Sequence, residues 1–452
     1  MEISPLMGYA LDWANLLLKW AHVIVAVAWI GSSFYFVMLD NSLVPPTDPA
    51  LKEKGVGGEL WAVHGGGFYN PQKYLGAPRT IPKNLHWFYW ESYSTWLTGF
   101  ALFTVIYLFN AGTFLIDKSV YDWSAGVAVA AALGFLAGFW IIYDLVCRTL
   151  GKGPKGDEVV GMVLFGVVVF AAWLACQLFA GRAAFLLVGA MMATSMSANV
   201  FFWIIPGQRK VIASMKAGQP VDPVHGQRGK QRSVHNTYFT LPVLFAMLSN
   251  HYSWAYSHED NWLVLVLIML AGALIRQFFV ARHKTEVAGK PAPWHWAVAG
   301  VVLLLGVAVW LAPRPVPPVE AGAAAPAALV ALPAQTASGA SAADAVSSAS
   351  SASSATSAEG ASAAKVVAAP AASLSQFQQV QAIVNQRCVM CHSAALANKG
   401  VMLHTPELVS QHAQQIYQQA TVLKTMPLNN ATQITDAERA LLGKWYQAGA
   451  PK

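Results

Sequence analysis

The sequence predicts an all-α fold: an eight-span transmembrane helical bundle, a disordered linker and a small helical domain at the C-terminal end. Three observations carry this. Of the 452 residues, 55% are hydrophobic and only 11% are charged, with a mean hydropathy of +0.43, whereas an ordinary soluble domain carries about a quarter charged residues. Apolar runs of roughly 20 residues, enough to cross a hydrocarbon core of about 30 Å, recur along the first two thirds. The composition then changes abruptly at Pro313. A wholly soluble enzyme, a disordered chain and a collagen-like chain are thereby excluded. The net charge of +7 does not call for nucleic acid, because membrane proteins keep Lys and Arg in their cytoplasmic connections.

The spans are expected near 13–39, 88–110, 123–147, 159–180, 183–206, 236–255, 261–281 and 294–312, making 1–312 the membrane domain. Trp13, Trp20, Trp87, Trp90, Trp123, Trp254, Trp262, Trp294 and Trp310 crowd their ends, where amphipathic rings meet the lipid headgroups. Lys and Arg number seventeen in the connections after spans 1, 3, 5 and 7, and two, Lys118 and Arg182, on the other side. That asymmetry places the odd-numbered connections in the cytoplasm and both termini outside. No small-residue cleavage site precedes span 1, which reads as an uncleaved anchor.

Residues 313–373 are almost entirely Ala, Ser, Pro, Gly and Val, a composition that cannot bury a core. As a flexible tether they span on the order of 40 Å. The remaining 374–452 open with Phe377, Val380, Ile383 and Val384 at helical spacing and close with Leu441, Leu442, Trp445 and Tyr446. Thr435 and Glu438 form a capping box for the last helix. A domain of about 80 residues has a thin core and is helped by a cofactor inside it.

Four cysteines are too few for a disulfide framework in this length. Cys147 and Cys176 fall in apolar runs and read as buried or lipid-facing thiols. Cys388-Val389-Met390-Cys391-His392 is the attachment pattern of a covalent haem c: two thiols add to the vinyl groups and the next His rises to the iron. A redox dithiol or half a zinc site is the competing reading, against which no second cysteine pair exists. Met426, before Pro427, is the expected distal iron ligand, with Met402 its rival and His404 and His412 behind. Two axial ligands suit electron transfer rather than oxygen binding, and the segment reads as a class I cytochrome c-like domain. Haem attachment occurs outside the cytoplasmic membrane, the side that the Lys/Arg asymmetry assigns to this domain.

Ionisable residues inside spans are functional hypotheses by default: His22, Asp40, His86, Glu91, Asp144, His235, His251, Arg276 and His295. Histidines at span ends also sit in the wet interface for no special reason. Arg276, inside its span, needs an anionic partner or ligand, and Glu91 is at matching depth. His22 and His251, in the outer half, are candidate ligands for a non-covalent haem b, provided that their spans are neighbours. The run His64-Gly65-Gly66-Gly67-Phe68-Tyr69 is either a ligand approach or a surface turn; it lacks a phosphate-loop ending.

Trp20-Ala21-His22-Val23 with Trp29-Ile30-Gly31, His64 to Tyr69, Trp87-Phe88-Tyr89-Trp90-Glu91, and above all Ser233-Val234-His235-Asn236-Thr237-Tyr238-Phe239-Thr240-Leu241-Pro242 running to Ser249-Asn250-His251-Tyr252 resemble the membrane-bound urate hydroxylases of bacterial purine catabolism. The resemblance covers the whole chain apart from the linker. It implies oxidation of urate to 5-hydroxyisourate in the bacterial inner membrane, with electrons leaving through haem c to a respiratory acceptor such as a cytochrome c or a terminal oxidase. On that reading Arg276 binds the urate anion, Glu91 or His235 acts as base, Trp or Tyr rings stack on the purine, and water adds at C5. A quinol to cytochrome c oxidoreductase and a non-enzymatic membrane-anchored electron carrier are the alternatives.

Overall fold

Helices form at each of the eight apolar stretches. The structure, a computed structural model, describes residues 5–312 and 375–452 apart from 75, 77, 79, 119, 154, 395–400 and 423; the linker expected at 313–373 lies outside the described residues. The helices are α1 (Pro5–Ser42), α2 (Trp90–Phe103), α3 (Ala125–Thr149), α4 (Gly156–Leu178), α5 (Gly181–Lys216), α6 (Pro223–Leu248), α7 (Asn261–Val287) and α8 (Trp294–Trp310). Five of them, α1 from Trp13, α3, α4, α5 and α7, are long and apolar enough to cross a membrane. The other three fall short of that combined criterion for separate reasons. Helix α2 has 14 residues before a π-helical turn at Thr104–Leu108, α6 opens with a polar stretch, and α8 has 17 residues.

Several helices extend well past their apolar parts. Asp222 caps α6, its carboxylate accepting from the Val224 N–H at 2.9 Å, so the helix begins far ahead of residue 236. Arg228, Lys230 and Arg232, which the charge pattern reads as loop markers, are therefore helical. The backbone ladder continues wherever side chains permit, whereas hydropathy registers only the apolar portion.

The first long connection is not purely irregular, which corrects the all-α expectation in one place. Strands β1 (Val56–Glu59) and β4 (Gln72–Tyr74) pair antiparallel, as do β2 (Ala62–His64) and β3 (Gly67–Tyr69). Gly65 and Gly66 make the two-residue turn of the inner hairpin with φ of +57° and +81°, a left-handed pair that glycine adopts without steric strain. The glycine run is thus a hairpin turn. Lys73 joins the hairpins to the end of α1 through Asp40 at 2.8 Å.

Helix α5 is the most enclosed of the apolar helices and packs against α3, α4 and α6. Its buried face, Ala183, Ala184, Leu187, Val188, Gly189, Met191, Met192, Ser195 and Met196, is rich in small residues, which allow close backbone approach between helices. A methyl group at Gly189 would lie 2.6 Å from Ala246 Cβ on α6. Outward, Trp20, Val27, Met162 and Val309 are each about two thirds exposed or more, the inverse of a water-facing surface.

In the C-terminal segment α9 (Gln376–Arg387) and α11 (Asp436–Gln447) flank a short α10 (Pro406–Gln411). Both long helices begin with capping boxes, Ser375 with Gln378 and Thr435 with Glu438; only the second is expected from the sequence reading. Phe377 and Trp445 face each other with ring centres 6.1 Å apart, over a core that includes Val380, Val384, Leu403, Val409 and Leu442. Arg387 fastens α9 to α11 through Glu438 at 3.0 Å and the Thr432 carbonyl at 2.7 Å.

Two tests follow from this packing. Gly189→Leu drives a side chain into α6 and should lower stability by about 1–3 kcal/mol, read as the unfolding midpoint in detergent; an unchanged midpoint would show that α5 and α6 are looser than described. Burial alone would raise the Glu438 carboxyl, but hydrogen bonds from the Thr435 N–H and Arg387 outweigh it and hold it below its ordinary value of 4.5. A depressed folded value contributes stability that is complete above the ordinary value and is lost as pH falls through the folded one. Amide exchange across 375–452 should therefore accelerate as pH is lowered below about 4.5, once corrected for intrinsic rates, and Glu438→Gln should flatten that dependence.

Candidate functional site

A polar layer crosses the bundle at the end carrying the basic connections. Its centre is Tyr143 on α3, fully buried. The hydroxyl lies 2.9 Å from His235 Nδ1 on α6 and 2.8 Å from Asn199 Nδ2 on α5. Asn199 Nδ2 also donates to Asn236 Oδ1 at 2.9 Å, and Asn236 Nδ2 donates to the Met196 carbonyl at 3.0 Å. Cys147 Sγ is 3.8 Å from His235 Nδ1.

Beside Tyr143, Asp144 anchors the charged part of the layer. Its carboxylate accepts from Arg232 at 2.8 Å, Trp203 Nε1 at 2.8 Å and Arg148 at 2.6 Å. Arg232 is 2% exposed, and its guanidinium lies 5.0 Å from the Tyr143 ring centre and 5.2 Å from that of Trp203. A π-helical turn at Val200–Ile204 interrupts α5 between Asn199 and Trp203. Such turns insert an extra residue, and here the two side chains reach the neighbouring Tyr143 and Asp144. On the far side of Trp203 a cavity of about 80 Å³ is lined by Phe202, Lys210, His225 and Arg228 among others.

The layer continues to α7. Arg276, 1% exposed, donates from Nε to the Thr237 carbonyl at 3.3 Å and lies over Phe34 of α1, 3.5 Å from the ring centre. Pro242 sits one turn further along α6, where it removes a ladder donor and loosens the helix. Glu91 is not the partner of Arg276: no ion pair joins them among the described residues, and α2 and α7 each pack against α1. Ser92 instead bonds Ser197 at 3.1 Å, which sets Glu91 at the level of the network.

Seven buried side-chain N or O atoms have no hydrogen-bond partner among the described residues, and four belong to this layer: Glu91 Oε2, Asn199 Oδ1, Arg232 Nη1 and Arg276 Nη2. Buried polar groups are nearly always satisfied, so these two unpaired acceptors and two unpaired guanidinium donors are the candidate contacts for a polar ligand. Tyr143, Asn199, Trp203 and Arg232 are absent from the candidate residues read from the sequence. The signal for them in the sequence is their polarity within or beside apolar runs, although Arg232 reads equally as a topological marker in a basic connection.

The remaining candidates disperse. His22 lies on α1 with Nδ1 3.1 Å from the Thr95 carbonyl and 3.0 Å from Thr98 Oγ1; a Cβ at Gly99 would meet its Cε1 at 2.8 Å. His251, in the short turn after α6, is exposed, and no hydrogen bond or ring contact among the described residues links it to His22. His86 and His295 are exposed and rest against Phe88 and Trp296.

In the C-terminal segment Cys388 caps the end of α9, and it and Cys391 are free thiols. His392 Nδ1 lies 3.1 Å from the Val401 carbonyl, and Leu403 N–H donates to the His392 carbonyl at 2.7 Å. A carbonyl can only accept, so Nδ1 carries the proton and Nε2 is left as a ligand, the usual support of a metal-bound His. Val401 and Leu403 both bond to His392, so Met402 belongs to the segment beside His392, whereas Met426 lies on a separate segment. Arg439, buried in α11, donates to the carbonyls of Ala420 and Met426, the latter at 2.8 Å, and Met426 N–H donates to Gln419 at 3.0 Å. These residues fit a covalent haem.

Among known proteins, the family model described as urate oxidase N-terminal matches residues 8–312. No curated protein and no solved structure matches the chain.

The Asp144–Arg232 pair supplies a stability test. Removing one partner of a buried ion pair is strongly destabilising, and replacing both by apolar residues is often neutral. Asp144→Asn should lose about 3–5 kcal/mol, and the Asp144→Leu, Arg232→Met double variant should recover most of it, measured by unfolding in detergent. Additive losses would contradict the pairing.

Proposed function

The chain belongs to the urate oxidase N-terminal family, and on that premise we propose that it is a membrane-bound oxidoreductase converting urate to 5-hydroxyisourate, with electrons leaving through a covalent haem c to a respiratory acceptor. The family match itself supports a urate-related oxidation. The observation that carries the finer reading is the set of four unpaired polar atoms in one buried layer. Urate is flat, anionic near neutral pH and edged with alternating N–H and C=O groups, which suits two donors and two acceptors around aromatic side chains. Written for the neutral species, urate and water give 5-hydroxyisourate, two protons and two electrons.

In this reading Arg276 binds the anion, its guanidinium held over Phe34 and its Nη2 free to donate. Arg232 Nη1 donates to a second oxygen, and Asn199 Oδ1 accepts a ring N–H. The acid–base work falls to Glu91 or His235. Low local dielectric strengthens each of these contacts relative to water.

Haem c, when attached, supplies a one-electron acceptor that is used twice per turnover. Cys388 and Cys391 would hold it covalently, with His392 Nε2 and Met426 as its iron ligands, the Met426 backbone being held by Arg439 and Gln419. His22 and His251 would be the ligands of a haem b, and this reading does not require one. The Lys/Arg asymmetry supports a cytoplasm-facing urate layer, with both termini and the cytochrome on the periplasmic side of the bacterial inner membrane.

The experiment is reduction of haem c in the purified full-length protein. Urate should reduce it anaerobically, and Arg276→Gln should lower kcat/KM at least 100-fold with the haem spectrum unchanged. Reduction by quinol but not by urate would assign the chain to quinol oxidation; reduction by neither would leave a passive electron carrier.

A further inference from the structure

Whether His235 takes or gives a proton is decided by a hydrogen-bond chain that starts at a backbone carbonyl. The Met196 carbonyl only accepts, so the Asn236 atom 3.0 Å from it is Nδ2. This turns Asn236 Oδ1 toward Asn199, and since Oδ1 also only accepts, the Asn199 atom 2.9 Å away is Nδ2. The second hydrogen of that nitrogen points to the Tyr143 hydroxyl at 2.8 Å. Tyr143 therefore receives a hydrogen bond from Asn199 and has one hydrogen of its own to place. The acceptor in reach is His235 Nδ1 at 2.9 Å; Arg232, over the same ring, has no lone pair to offer. The reverse arrangement, with Nδ1–H donating to Tyr143, would leave the phenolic hydrogen of a fully buried residue only the Cys147 sulfur, a weak acceptor beside an imidazole nitrogen. Cys147 Sγ, 3.8 Å from Nδ1, is the weaker partner at that nitrogen.

We infer that His235 is held as the neutral Nε2–H tautomer and donates a hydrogen bond to the substrate anion, with Tyr143, Asn199 and Asn236 as positioning residues, and that Glu91 is the proton acceptor. The second half rests on the urate reading; the tautomer does not. An imidazole that accepts at Nδ1 and is protonated at Nε2 has no free lone pair for a substrate proton. Glu91 Oε2 is buried, unpaired and at the level of the network, which leaves it the open basic atom of the layer. For the urate anion, a C5–O bond forms with water as one water O–H bond breaks and its proton forms an O–H bond on Glu91, while two electrons leave to a one-electron oxidant, giving neutral 5-hydroxyisourate.

The tautomer is read by ¹⁵N NMR of the full-length protein with its 12 histidines labelled, in lipid nanodiscs without urate. The difference from His235→Gln assigns the signal. Expected is an unprotonated Nδ1 and a protonated Nε2 near neutral pH. Tyr143→Phe removes the donor and should raise the Nδ1–H population. Asn236→Leu, which unhooks the chain two links earlier, should shift it in the same direction and serves if the tyrosine variant does not fold. An Nδ1–H signal in the wild-type protein, or no change in either folded variant, overturns the assignment. For the proton acceptor, Glu91→Gln should lower kcat by about 100-fold or more. His235→Gln, whose amide still offers an N–H, should act mainly through a KM raised about tenfold, and the opposite ranking overturns the role of Glu91. The expected tautomer in a protein that does not turn over urate would sink the substrate reading and leave the tautomer standing.

Discussion

Asp144 and Arg232 are buried together in the interior of the bundle, and the requirement that a charge removed from water find a partner shapes what surrounds them. The carboxylate collects three donors from three places in the chain: Arg232 of α6, Trp203 from the π-helical turn of α5 and Arg148 one turn along its own helix. Those bonds fix the rotation of α5 and α6 against α3. Once that rotation is fixed, the residue before Asp144 has to bring its phenol against Asn199 and His235. The polar layer is in this sense a by-product of satisfying one buried carboxylate, with four atoms left over that find no partner among the described residues.

Small side chains make the arrangement sterically feasible. Hydrogen bonds near 2.9 Å between helices require the backbones to approach, and Gly189 against Ala246 provides that contact deeper along the same α5–α6 interface. The outer surfaces of α1, α4 and α8 carry large exposed apolar groups instead. Polar satisfaction inside and apolar exposure outside are compatible with a lipid solvent, which cannot hydrogen-bond the backbone. The C-terminal segment obeys the ordinary rule for water. Its apolar residues turn inward around Trp445, and Arg439, its one buried cation among the described residues, is absorbed by the carbonyls of Ala420 and Met426.

The legible part of this protein was written in short-range signals. The Cys388 to His392 spacing, the capping box at Thr435 and Glu438, the eight apolar runs and the change at Pro313 depend on residues a few positions apart, and periodicity registers them directly. Arg276 was visible because a cation in an apolar run is conspicuous on its own. The hairpin around Gly65 and Gly66 was missed as strand because three-residue strands show no usable alternation.

The sequence by itself determined composition, helix content, the Cys388 to His392 spacing and the presence of ionisable groups in apolar helices, because each is a property of one residue or one local window. Only the tertiary structure decided the company those groups keep. It separated Glu91 from Arg276, joined Arg232 to Asp144 across 88 positions, and recruited Tyr143 and Asn199. Hydrogen bonds have a reach of about 3 Å, and which atoms come within it depends on how helices rotate and cross, a choice made by the packing of whole faces and by buried charges that have to be matched.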